Sequence, residues 1–148
     1  MGSTGVSTTI ALGAGVAGSI QIALLGLLGQ RIGELETAAF AFVLTAVAGV
    51  VILLAARRSL AGIGQALHEP AWLWLGGLAG VFVVTAIIVT GPRIGIVATS
   101  ALLIAGQLGA AMVIDRFGWL GVEKVSIGWE RLVGLSLLVA GALLTLRR

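Results

Sequence analysis

Gln21, Trp74, Thr85, Ser100 and Gln107 are the side chains of this sequence that combine polar or ring chemistry with a position inside an apolar stretch. Polar groups in hydrocarbon are costly, and they usually face a neighbouring helix or a water-filled cavity. Ser100 and Gln107 are seven residues apart and so stack on one helical face; Trp74, Leu78, Val81 and Thr85 share another. Gln21 shares a face with Ala14, Ala17 and Gly18. Each glutamine has the groups to bind a polar ligand, or to bond the other glutamine or a backbone carbonyl. The hydroxyls of Thr85 and Ser100 also have a local alternative, the carbonyl one turn back. Trp72, Trp119 and Trp129 suit an aromatic belt at the headgroup level; Trp74 lies further into its span, and its ring face could receive a cation or an aromatic ligand.

The chemistry that is missing narrows the function. There is no cysteine and a single histidine, His68, so thiol catalysis, disulfides and a histidine metal cluster are not read here. No paired carboxylates or Ser/His/Asp set stands at a membrane face to run a reaction, and no cofactor site is read. No apolar stretch carries a central carboxylate, which disfavours a proton-coupled exchanger built on an embedded acid. Asp115 falls at the end of a span, where the helix dipole disfavours a carboxylate. It calls for a partner among Arg116, Lys124 and Arg131, either as a structural ion pair or as part of a gate; Asp115 with Arg131 is the candidate pair. Glu34 and Glu36 instead open a span and suit its positive end.

The elements that position these residues are apolar runs over 6–28, 35–56, 71–90, 94–114 and 132–146, the last extended to 129–146 by its polar edge. A bilayer core needs about 20 apolar residues in a helix, with about 17 sufficing for a short span. The runs lack period-2 alternation and exceed barrel-strand length. The composition agrees: 59% hydrophobic, 10% charged, mean hydropathy +1.16. The expected fold is therefore an all-α integral membrane protein, one transmembrane domain over 1–148 with five transmembrane helices per chain. The N-terminus lacks a positive n-region, so the first helix is expected to be retained. Gly91-Pro92-Arg93 reads as a minimal turn in which proline ends the third helix. The basic residues sit at span ends and do not gather into a nucleic-acid patch.

Five spans would place Arg31, Arg93, Arg147 and Arg148 on one side and Arg57, Arg58, Arg116, Lys124 and Arg131 on the other, which accounts for all nine basic residues. Basic residues in short loops set orientation, so a difference of one leaves two readings open. The chain inserts both ways and pairs antiparallel with itself, or it is a weakly biased protein of one orientation. Small-residue ridges at Ala11-Gly15-Ser19, Gly76-Gly80 and Ala101-Ala105-Gly109 suit close helix packing, within the chain or between two copies.

The segment from His68 to Gly80, Gly91-Pro-Arg-Ile-Gly95, Ala105-Gly-Gln-Leu-Gly109 leading to Asp115-Arg-Phe-Gly118, and Gly134 with Gly141 after Arg131 together resemble the YdcZ-like branch of the drug/metabolite transporter (DMT) superfamily. The resemblance runs from about Gln21 to Arg148. Gln21 matches the glutamine of that branch's first helix, and Leu25 stands where the branch has asparagine. The resemblance implies a single five-helix repeat that pairs as an antiparallel homodimer and moves a small organic solute by alternating access. The site would lie near the midplane, lined by Gln21, Trp74, Thr85, Ser100 and Gln107. Without a buried charge, a neutral, zwitterionic or weakly cationic solute is expected, in a bacterial inner membrane. A scaffold or accessory subunit that pairs with a separate chain is the alternative.

Overall fold

The computed structural model describes residues 2–146, with side chains from residue 4 onward, so Arg147 and Arg148 lie outside the described residues. Every regular element among these is helical: α1 (Gly2–Ile32), α2 (Glu34–Arg57), α3 (Ala61–Ala66), α4 (Leu75–Ile94), α5 (Ile96–Phe117) and α6 (Trp129–Thr145). Short 3-10 turns cover Ala71–Trp74 and Trp119–Gly121. In lipid the backbone must satisfy its own hydrogen bonds, and a helix does this within one segment. Among the described residues, four helices are long and apolar enough to cross a membrane: α1, α2, α4 with its preceding turn, and α5. The fifth apolar helix, α6, has 17 residues, a length of about 25 Å at 1.5 Å per residue.

The joins between helices are shorter than the sequence suggests. A single residue, Gly33, separates α1 from α2, and Gly95 alone separates α4 from α5. Gly33 has φ 106 and ψ 150, and Gly95 has φ 89 and ψ 157, a region open in practice only to glycine. Pro92 does not end the third span; α4 continues through it to Ile94. The missing proline N–H leaves the carbonyl of Ile88 without its usual helical donor close to the helix end, and the ring packs against α1. A Cβ on Gly26 would lie 3.2 Å from Pro92 Cδ and Cγ.

Two compact units divide the chain, one made of Met1–Ala23 with Arg93–Arg148 and the other of Leu24–Pro92. In the second unit, the end of α1, the start of α2 and the end of α4 meet through small residues. Gly29 approaches α4 so closely that a Cβ there would stand 2.8 Å from Ile88 Cγ2. Thr37, Ala38 and Ala41 on α2 and Ile87, Ile88 and Gly91 on α4 are buried. Close approach over small residues is how helices gain packing energy where lipid removes the hydrophobic drive between them. By contrast, Gly15, Gly76, Gly80 and Gly109, from the small-residue ridges of the sequence, have nothing within 4 Å of an added Cβ. The tight intrachain contact is made at Gly26 and Gly29 instead. Gly29→Ala should therefore cost about 1–3 kcal/mol by overpacking. Thermal unfolding in detergent should show the double variant Gly29→Ala/Ile88→Ala less destabilised than the sum of the two singles, because the second change removes the clashing methyl.

In the first unit, α5 and α6 form a packed hairpin. Ala98 and Met112 on α5 and Ala142 on α6 are buried. Gly118 ends α5 in the left-handed conformation, its N–H donating to Ile114 O at 2.8 Å. The aliphatic stem of Lys124 then covers Gly118, and Val125 N–H donates to Asp115 O at 2.9 Å. The connection thus folds back on the helix it leaves.

Candidate functional site

Within the first unit, α1 carries Gln21 and α5 carries Ser100 and Gln107. Both glutamines are exposed, while Ser100 is half-buried. Ser100 Oγ itself is buried and has no hydrogen-bond partner among the described groups. Asp115 closes the same helix, and Arg131 in the first turn of α6 reaches it, Nη1 to Oδ2 3.3 Å. Of the three basic residues that could meet Asp115, the α5–α6 hairpin selects Arg131. The two side chains are 37% and 50% exposed, so the pair contributes at most about 1 kcal/mol. Phe117 and Trp119 stack beside it with ring centroids 5.2 Å apart.

The second unit holds Trp74 and Thr85. Trp74 Nε1 donates to Ala66 O at 3.1 Å, which ties the short helix α3 to the entrance of α4. Its indole N–H is therefore engaged within the protein, while the ring remains 48% exposed. Thr85 lies half-buried on α4.

Two further polar residues were not singled out from the sequence, Thr37 and Thr99. They are 0% and 2% exposed, and neither hydroxyl has a hydrogen-bond partner. The hydroxyls of Thr8, Thr9, Thr45, Thr90 and Ser136 instead bond the carbonyl four residues back, at 2.7 to 3.0 Å. The signal that could have found them is a pattern: Gly29-x-Arg-Ile-Gly33-x-x-x-Thr37 recurs as Gly91-x-Arg-Ile-Gly95-x-x-x-Thr99.

In each unit these side chains offer hydrogen bonds or ring faces on apolar helices. Comparison with known proteins gives that arrangement a context. Residues 6–144 match the family model described as "Putative inner membrane exporter, YdcZ". The chain belongs to the YdcZ family. A relative, Inner membrane protein YdcZ of Escherichia coli (strain K12), is 30% identical over 138 residues, covering 90% of this chain and 92% of the relative. No solved structure matches. The match spans both units, so every residue from Gln21 to Arg131 discussed above lies inside the YdcZ region. As a YdcZ-family member with four membrane-length apolar helices among the described residues, the chain is an integral inner-membrane protein.

Proposed function

We propose that this YdcZ-family chain exports a small organic solute by alternating access, as an antiparallel homodimer assembled from both insertion orientations. The family match over nearly the whole chain carries the reading. Five apolar helices, counting α6 as a short span, form one repeat, and two copies in opposite orientation supply the inverted pair that such transporters use. The near-equal basic counts on the two sides support dual insertion. The ridge glycines Gly15, Gly76, Gly80 and Gly109, free of intrachain contact at their Cβ positions, are surfaces on which a second copy can approach closely.

In this reading Gln21, Trp74, Thr85, Ser100 and Gln107 line a midplane site and are contributed twice. Glutamine amides and serine or threonine hydroxyls both donate and accept, and so suit a neutral or zwitterionic solute. The exposed Trp74 ring adds affinity for a weakly cationic one. In the same reading Asp115 and Arg131, paired across the α5–α6 hairpin, open and close as a gate.

Purified protein in liposomes tests the reading with a panel of radiolabelled polar solutes and a known transporter run in parallel. Saturable flux is expected, and Gln21→Ala and Gln107→Ala should each raise the half-saturating concentration by about fivefold, the worth of one hydrogen bond of about 1 kcal/mol. A silent panel beside a working control would sink it.

A further inference from the structure

The recurring pattern noted above is also a recurring structure. In both copies the isoleucine is the last residue of a helix, Ile32 of α1 and Ile94 of α4. The following glycine, Gly33 or Gly95, is the whole connection and takes the same glycine-only conformation. Four residues on, Thr37 N–H donates to Gly33 O at 3.1 Å and Thr99 N–H donates to Gly95 O at 3.0 Å. Both threonine side chains are buried with an unpartnered hydroxyl. Ser100 Oγ is a third such hydroxyl, but Thr37 and Thr99 alone stand at equivalent positions of a repeated elbow, and that equivalence calls for a common cause.

Burying an unpartnered hydroxyl is unfavourable, and valine fills the same space without that cost. Elsewhere in the chain threonine escapes the cost by bonding the carbonyl four residues back. Thr37 and Thr99 do not, although Gly33 O and Gly95 O stand at that spacing. Each sits one turn beyond a lone glycine joint. A change of backbone angles at that joint re-aims the whole helix that follows, and so turns the threonine's face away from the neighbours that now cover it.

We propose that Thr37 and Thr99, each within its own unit, become water-exposed in a second conformation, reached by motion about the Gly33 and Gly95 joints, where their hydroxyls bond water or a polar solute. This rests on the transporter reading and adds to it two specificity-determining positions and the joints that expose them. In the packed state the hydroxyls are shielded; in the open state they add polar groups near the exposed starts of α2 and α5.

The chain has no cysteine, so single replacements report accessibility directly. Thr37→Cys and Thr99→Cys are placed in liposomes and treated with a charged methanethiosulfonate, a reagent that reacts only with water-exposed thiols. Ala38→Cys and Ala98→Cys serve as equally buried references, at 5% and 2% exposure in the parent residues, and Gly64→Cys as an exposed one. The threonine-site thiols should react at least about 10-fold faster than their alanine-site neighbours, a gap of 1.4 kcal/mol in barrier. Rates equal to those of the alanine-site thiols would overturn the proposal, and would do so without touching the transporter reading, which stands or falls on flux. Thr37→Val and Thr99→Val give a second arm. Each should raise Tm by roughly 2–4 °C while lowering flux at least about fivefold. Stabilisation with unchanged flux would mark the hydroxyls as mere packing and defeat the assignment.

Discussion

Gly33→Ala and Gly95→Ala should each lower Tm by roughly 5–10 °C, the consequence of about 1–3 kcal/mol of backbone strain in a chain of this size. The effect is large because the connection is one residue long. With φ 106 and ψ 150 at Gly33 and φ 89 and ψ 157 at Gly95, a Cβ meets its own flanking backbone, and no neighbouring loop residue is available to share the distortion. At Gly33 a Cβ also runs into the Glu36 carboxylate, which folds back over the helix start. That side chain is flexible and can move aside, so the backbone term dominates. Gly13→Ala and Gly106→Ala are the controls. Both lie inside helices with nothing within 4 Å of an added Cβ, and alanine there should be neutral or stabilising by about 0.5–1 kcal/mol. Thermal unfolding in detergent, followed by circular dichroism, separates the two classes. Equal behaviour of the four variants would show that the joints tolerate a side chain.

A cysteine added after Arg148 should be labelled about half from outside sealed cells and half only after permeabilisation, because orientation follows the basic-residue bias of the loops. In the proposed five-span topology the basic residues split four to five, and two added lysines are enough to decide it. Ala61→Lys with Ala66→Lys places both in α3, an exposed helix between the second and third spans. Labelling should then shift to one side for nearly all molecules, and flux should fall by 10-fold or more, on the order of the depletion of one orientation. Co-expression with an oppositely biased variant, carrying Gln30→Lys and Leu35→Lys at the exposed α1–α2 join, should restore flux by supplying the missing partner. One-sided labelling of the unaltered chain would instead favour a parallel assembly or a separate partner chain.

The membrane class and helical architecture were legible in the sequence because they depend on local properties. A long apolar run in lipid has to satisfy its own backbone, and only the helix does so within the run. Family membership was legible too, through short motifs such as Gly91-Pro-Arg-Ile-Gly95. Where the joints fall was decided by packing. Pro92 reads as a terminator by its missing N–H, yet the ring finds a seat beside Gly26 and the helix runs on to Gly95. Which glycines make close contacts was equally hidden. The ridges at Gly15 and Gly76 have the same composition as the contact at Gly29, and only the position of Ile88 tells them apart. Asp115 advertised its need for a cation through its place at a helix end, but the choice of Arg131 came from the α5–α6 hairpin. Thr37 and Thr99 looked like ordinary hydroxyls, since burial and an unmet hydrogen bond are properties of their neighbours. Sequence determined what depends on residues within a turn or a span of one another; the tertiary structure decided what depends on which distant backbone comes close.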